Sequence, residues 1–356
     1  MDYKKLTEKK KILDKHRPLD AALVKNLEEW FRIELTYTSN AIEGNTLSRA
    51  ETALVVEKGL TIGGKSITEH LEATNHAAAL DFIKEQIKRK PSDLRERDIL
   101  RIHEIILDRI DKENSGIYRR VPVRISGSAV VLPNPRKVQT LMDEFFSWLE
   151  NETKMHAVEL AGEAHYRFVT IHPFIDGNGR TGRLLMNMIL MMKGYPSAII
   201  RKNDRLAYIK SLEKPQLVNG EGDSKNDYFK LIAAAVDRSL DIYLKAIEGK
   251  SEEPGSEKLL KIGELAKATN QTVPTIRHWT KEGLLQVAEV TESGYQMYSE
   301  EMISRIKKIQ EMKEKRMMRE RPKLRVKSLP RPNPISAYLQ KICPAALQSS
   351  SSSELA

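Results

Sequence analysis

Twelve consecutive residues, His172-Pro-Phe-Ile-Asp-Gly-Asn-Gly-Arg-Thr-Gly-Arg183, gather an imidazole, a carboxylate, two turn-forming glycines, an amide and two guanidinium groups. Each type has a use in handling a phosphate ester. Gly177 and Gly179 let the backbone turn tightly and approach a ligand closely. A helix beginning there turns its unpaired amides and the positive end of its dipole toward an anion. Arg180 and Arg183, three apart, share one face of the first turn, where two guanidinium forks can hold adjacent phosphates. Cations at a helix N-terminus oppose the dipole, a conflict that a bound anion removes. Asp176 offers a hard oxygen ligand for Mg2+, and His172 is the nearby group that titrates around neutral pH and can take the proton from an attacking hydroxyl. The chemistry implied is transfer of part of a nucleotide onto a hydroxyl group. The plainer alternative is a capping histidine with arginines paired to surface acids, but a solvated loop has no physical need to collect these groups within twelve residues.

Such a loop needs rigid supports, and the flanking sequence supplies them. Leu160, Ala164 and Phe168 before it, and Leu184, Leu185, Met188, Ile189 and Met192 after it, recur at helical spacing, with a stop at Gly194 and Pro196. Phe174 reads as an anchor that packs the loop onto the core. The same period appears in Ile99, Ile102, Ile106 and in Val138, Leu141, Phe145, Trp148, so the expected fold is mainly α. Ser48 with Glu51 and Ser66 with Glu69 have capping-box spacing and mark two helix starts. Val121, Val123 and Ile125 alternate with polar residues ahead of Gly127-Ser128, which predicts a small hairpin closed by Pro133 and Pro135.

The central string matches the Fic signature, His-x-Phe-x-Asp/Glu-Gly-Asn-Gly-Arg-x-x-Arg, without a departure, and the similarity extends over roughly residues 30 to 247, including Gly116-Ile-Tyr-Arg119. The chain thus resembles the Fic family, in its self-inhibited branch. That resemblance implies a helical domain that transfers AMP from ATP to a Ser, Thr or Tyr hydroxyl of a target protein, releasing pyrophosphate. It implies His172 as base and Asp176 as Mg2+ ligand. Gly177, Asn178, Gly179, Arg180, Thr181, Gly182 and Arg183 would grip ATP, and Tyr208 would flank the adenine. Gly127, Ser128, Ala129 and Val130 would form a flap that aligns the target's backbone. Ser39-Asn-Ala-Ile-Glu43-Gly44 resembles the family's inhibitory motif. Glu43, at a helix end fixed by Gly44, would reach Arg183, displace the γ-phosphate and leave ATP in an unproductive pose. In some relatives the same glutamate serves removal of AMP, so the reverse activity is implied as well.

Gly59-Leu-Thr-Ile-Gly-Gly-Lys-Ser66 fits the P-loop pattern, which belongs to another enzyme class. A P-loop follows a buried strand, whereas a capped helix ending at Glu57-Lys58 stands before Gly59. The segment reads as a glycine turn between helices.

Downstream, Leu260 to Ala268 and Val273 to Lys281 have helix-turn-helix spacing about a turn at Thr269 to Gln271. Ile262-Gly-Glu-Leu-Ala266, Thr275-Ile-Arg-His-Trp279, Glu282-Gly-Leu-Leu285 and Gly294-Tyr-Gln-Met-Tyr298 resemble a MerR-type winged helix. Arg277 and Lys281 would contact DNA, supported by a basic helix from Arg305 to Arg325, although Gln296 replaces the usual arginine and Glu289 and Glu292 place acid in the wing. The expected organisation is an N-terminal region with the inhibitory helix (1–50), a catalytic domain (51–249), a linker (250–257), the winged helix with its basic helix (258–328) and a disordered tail (329–356). A DNA-binding regulator whose Fic-like part senses nucleotide is the competing reading.

Composition sets the outer limits. The 356 residues exceed what one hydrophobic core usually serves. Of the formal charge of +10, most comes from residues 301–331, with 12 Lys/Arg against 4 Asp/Glu, so an electrostatic case for nucleic acid applies only to the C-terminal part. A single cysteine, Cys343, rules out an internal disulfide and fits a reducing, cytoplasmic setting. The lysine-rich Met1 to His16 lacks the apolar core of a signal peptide, and a membrane partner is not expected. The expected partners are ATP, Mg2+, a protein substrate, DNA for the C-terminal unit and a second copy of the chain.

Overall fold

The computed structural model describes residues 2–217, 225–249, 259–285, 287, 289–290, 295–300 and 302–310. They fall into two compact units that divide between Pro254 and Gly255. The expected tail and the basic helix beyond residue 310 lie outside the described residues, as do the whole expected linker (250–257) and the wing residues 291–294.

The first unit is built from ten α-helices among the described residues: α1 (Lys4–Lys15), α2 (Ala21–Glu43), α3 (Arg49–Lys58), α4 (Ile67–Glu85), α5 (Glu96–Ile106), α6 (Val138–Asn151), α7 (Ala157–Ile171), α8 (Asn178–Met192), α9 (Arg205–Leu217) and α10 (Asn226–Ile247). At its centre α7 packs against α8. Leu160, Ala164, Phe168, Leu184, Leu185, Met188 and Ile189, spaced by threes and fours, are all buried in one core. Burying each large aliphatic among them is worth roughly 1.5–3 kcal/mol. The two helices approach closely because position 182 lacks a side chain: a Cβ there would stand 3.0 Å from Val169 Cγ1.

Local sequence sets the helix ends. Asp20 caps α2 by accepting from the Leu23 amide, and Gly44, at φ 107°, ends it in the left-handed region that favours glycine. Ser48–Glu51 and Ser66–Glu69 form reciprocal capping boxes at the starts of α3 and α4. The segment from Gly59 to Ser66 is a turn between these helices with no strand ahead of it, so it has no P-loop geometry. Leu6 and Leu13 of α1 and Phe31, Leu35 and Ile42 of α2 belong to the same core as α7 and α8.

One expectation is corrected: residues 119–132 form two extended arms around a turn, but no strands. The turn is closed by the Ser128 amide bonding to the Ile125 carbonyl. Pro122, Pro133 and Pro135 remove the amide donors that a ladder requires, and the Arg119 guanidinium takes the carbonyls of Val121 (3.3 Å) and Pro133 (2.7 Å) that cross-strand amides would otherwise use.

The second unit has its own core of Leu260, Leu265, Ala266, Ile276, Trp279, Leu285, Tyr298, Met302, Ile306 and Ile309. Helices α11 (Ile262–Ala268) and α12 (Val273–Lys281) flank a turn in which Asn270 takes φ 52°. Three short strands, β1 (Leu260–Lys261), β2 (Glu289–Val290) and β3 (Gln296–Tyr298), form an antiparallel sheet in the order β1-β3-β2, with Leu260 opposite Tyr298 and Glu289 opposite Met297. Residues 302–310 are helical. No helix among the described residues is long and apolar enough to cross a membrane.

Candidate active site

The loop between α7 and α8 is held from inside. Asn178 donates to the Phe174 carbonyl and accepts from the Phe174 amide, each at 2.9 Å, which closes the turn over Phe174. The Asn178 side chain thus shapes the loop from within. Phe174 is fully buried and stacks on His103 at 3.5 Å between ring centroids, as an anchor should. His103 accepts from the Gly116 amide at Nδ1 (3.0 Å), so its proton is on Nε2, which donates to the Asp176 carbonyl (3.0 Å). Burial pushes His103 down to about 4, which keeps it neutral in that role.

His172 ends α7 in a left-handed conformation, φ 52°. Its Nδ1 faces the Val169 carbonyl at 3.3 Å, so the proton sits on Nδ1 and Nε2 is a free acceptor. Burial, reinforced by Arg119, lowers its pKa against opposing contributions from Val169, Glu43 and Asp176. An imidazole in that state is neutral at neutral pH and can accept a proton. The Arg119 Nε donates to the His172 carbonyl at 2.7 Å, and the Arg119 amide donates to the Pro173 carbonyl at 2.8 Å. One buried arginine therefore ties both extended arms to the backbone of His172.

Helix α8 starts at Gly177, φ 75°, with no side-chain cap, so its first amides are open to an anion. A carboxylate occupies that position. A Cβ on Gly179 would fall 2.2 Å from Glu43 Oε1, which shows how closely the Glu43 side chain lies over the glycine turn. Glu43 Oε1 also accepts from Arg183 at 2.7 Å. Four residues earlier on α2, Ser39 accepts from Arg183 through both its hydroxyl and its carbonyl, at 3.0 Å each. Further contacts fix the end of α2: Arg205 donates to the Ile42 carbonyl (2.6 Å), and Asn45 donates to Glu72 (2.8 Å).

Glu72 also accepts from Arg180 at 2.8 Å, and Asp176 meets Arg180 at 3.2 Å. Both arginines at the start of α8 are thus neutralised by carboxylates, which answers their conflict with the helix dipole. Asp176 is 67% exposed, so its carboxylate remains open to a cation. No cluster of three potential metal ligands occurs among the described residues.

Two sequence expectations change here. Tyr208 is buried rather than presented to a nucleotide; its hydroxyl lies 2.8 Å from His165 Nε2 and against Arg183. Thr181 is fully buried, and its hydroxyl has no partner among the described residues. Three further histidines, His76, His103 and His165, surround the two arginines; burial pushes His76 and His165 down to about 3 and His103 to about 4. The Tyr228 hydroxyl donates to the Gly162 carbonyl and accepts from His165 Nδ1 at 2.8 Å, so His165 Nε2 accepts from Tyr208. The Tyr208 oxygen is left as an acceptor for Arg183. This buried relay sets the guanidinium from beneath.

Gly127, Ser128, Ala129 and Val130 sit at the turn of the two arms, with the Val130 amide on the Ser128 hydroxyl (3.2 Å). In the second unit Arg277 and Lys281 are both exposed on α12. Ser39, Glu72, His103, Arg119 and His165 were not singled out for these contacts from sequence; the available signals were the serine that opens the Ser39-x-x-x-Glu43 pattern and the arginine that ends Gly116-Ile-Tyr-Arg119.

A model of the Fic/DOC family matches residues 93–190, and a model described as MerR HTH family regulatory protein matches residues 260–319. Protein adenylyltransferase Fic of Culex quinquefasciatus is 39% identical over 246 residues, covering 68% of this chain and 48% of the relative; that of Aedes aegypti gives the same figures. The chain therefore spans about half the length of these curated relatives. Among solved structures, a Fic domain-containing signaling protein from Bacteroides thetaiotaomicron aligns with a TM-score of 0.64 at 31% identity, covering 70% of this chain and 99% of that one. Fic-1 of C. elegans aligns with a TM-score of 0.62 at 30% identity, covering 70% and 73%.

Proposed function

Since the chain belongs to the Fic family, we propose that it is a protein adenylyltransferase, held off by its own Glu43. The observation that carries this reading is the Glu43 carboxylate seated over Gly179 and bound to Arg183 at 2.7 Å: an acid in a cradle shaped for phosphate, beside an imidazole with a free nitrogen. When ATP replaces that acid, the amides at the start of α8 and the two arginines bind its phosphates. The target hydroxyl attacks the α-phosphorus. A new P–O bond forms to the target, the bond between the α-phosphorus and the bridging oxygen breaks, pyrophosphate leaves, and the hydroxyl proton passes to His172 Nε2. Asp176 would hold Mg2+, which would supply charge neutralisation on the phosphates. Residues 127–130 align the target backbone next to His172.

The test is incubation with labelled ATP and Mg2+ of the wild-type chain, Glu43→Gly and His172→Ala in the Glu43→Gly background. Label appears on protein with Glu43→Gly and is lost with the added His172→Ala. Equal background labelling in all three would favour the other class, a regulator that only senses nucleotide.

For the second unit the match to MerR regulators, with Arg277 and Lys281 exposed on the second helix of a helix-turn-helix, supports DNA as partner. Binding to duplex DNA that weakens with salt and with Arg277→Ala would support this; a salt-independent or absent shift would remove it.

A further inference from the structure

Residues 114–142 contain five Lys/Arg and no Asp/Glu. One of the five, Arg119, is buried and spent on backbone carbonyls. The other four, Arg120, Arg124, Arg136 and Lys137, are exposed, and none of them enters an ion pair among the described residues. Elsewhere on this unit surface arginines find acids, as Arg32 does with Asp81 and Arg101 with Glu104. Glu96 and Asp143, which follow in space, are engaged with Gln139. Beside the free cations stand exposed aliphatic side chains: Val121 is 50% exposed and Val131 is 92% exposed.

The backbone here is open as well. Between Arg120 and Leu132 the Ser128–Ile125 bond is the one backbone-to-backbone bond among the described residues, so the arms offer unpaired amides and carbonyls to an extended chain. That chain would lie next to His172, because Arg119 fastens the root of the arms to the His172 and Pro173 carbonyls.

From this juxtaposition we infer that the flap selects acidic target segments: the hydroxyl to be modified lies in an extended stretch with Asp or Glu on both sides and an aliphatic residue against Val121 or Val131. The inference rests on the adenylyltransferase reading for its setting, and it adds the chemistry of the target. Charges at the rim of an interface act mainly through complementarity and steering, and they are sensitive to salt.

The test uses fluorescent synthetic peptides with one central serine and acidic, neutral or lysine-rich flanks, titrated with the full chain and read by anisotropy. The acidic peptide binds about tenfold or more tightly than the neutral one at low salt, and the advantage disappears at about 0.5 M salt, where the screening length falls to a few ångströms. The double variant Arg120→Glu/Arg124→Glu removes the preference. An acidic peptide that binds no better than the neutral one, or a preference that survives salt or charge reversal, overturns the proposal. So does a reversed variant that weakens ATP binding in calorimetry while keeping the peptide preference. Label transfer to the same peptides by Glu43→Gly is measured in parallel. Acid-dependent binding without transfer defeats the enzymatic reading alone, whereas transfer without acid preference defeats this inference alone.

Discussion

Glu43 Oε1 and the Arg183 guanidinium meet at 2.7 Å, with the arginine side chain 6% exposed and the glutamate 37% exposed. The arginine is the fixed partner, held by Ser39 and by the Tyr208–His165–Tyr228 relay, and the glutamate is the one with room to leave. Removing the glutamate therefore frees the cradle without dismantling it. Glu43→Gly should raise labelling by at least about tenfold, the scale of a coupling of 1–3 kcal/mol. Quantified labelling at saturating ATP checks this, and an unchanged rate would show that Glu43 does not compete with substrate.

The relay predicts a separation of kinetic constants. In the Glu43→Gly background, Tyr208→Phe leaves His165 Nε2 without its donor and Arg183 without an acceptor beneath it. Stability should fall by about 1–3 kcal/mol, the cost of an unsatisfied buried group. Because in-line attack depends on alignment, kcat should fall more than the affinity for ATP. A variant that loses stability alone, with kcat unchanged, would reduce Tyr208 to a core residue.

His103 joins the Asp176 carbonyl to the Gly116 amide while stacking on Phe174. His103→Phe keeps an aromatic ring but removes both bonds. Two partly buried backbone groups lose their partners, so a loss of about 1–3 kcal/mol is expected, with faster proteolysis near residues 116–132. Denaturant unfolding measures the first and limited digestion the second; wild-type values in both would contradict the assignment.

Burial lowers His76 and His165 to about 3 and His103 to about 4, against 6.5 for an ordinary imidazole. As pH falls through 6.5 the unfolded chain takes up protons that the folded chain refuses, so stability rises with pH over that interval. Their contribution is complete above about pH 7 and is lost progressively toward about pH 4. The thermal midpoint should drop from pH 7 to pH 5, before most carboxylates titrate, and a flat profile would contradict it. His172 is lowered as well, and Glu43 is one of the groups holding it up. The acid limb of the rate profile of Glu43→Gly should therefore have its midpoint below 6.5.

Periodicity and capping residues made the helices legible, because those signals lie within a few residues of one another. Leu160, Ala164 and Phe168 announce α7, and Ser48–Glu51 and Ser66–Glu69 mark helix starts where the structure has them. Glu43 was legible through a local motif. Arg119, Glu72 and His165 were not, since the bonds that bring them to His172, Arg180 and Tyr208 span 43 to 108 residues and no spacing rule reaches that far. The alternation at Val121, Val123 and Ile125 suggested a hairpin, but prolines and a buried guanidinium took the bonds it needed. The resemblance implied that Tyr208 flanks the adenine, and packing instead sets its hydroxyl against His165 and Arg183.

Helix α2 donates Phe31, Leu35 and Ile42 to the same interior as α7 and α8, so the proposed brake is rooted in the core and is not a detachable arm. Under the proposed inhibition, release would need only a swing of one carboxylate or the unravelling of a single terminal turn next to Gly44, a dimmer rather than a fuse.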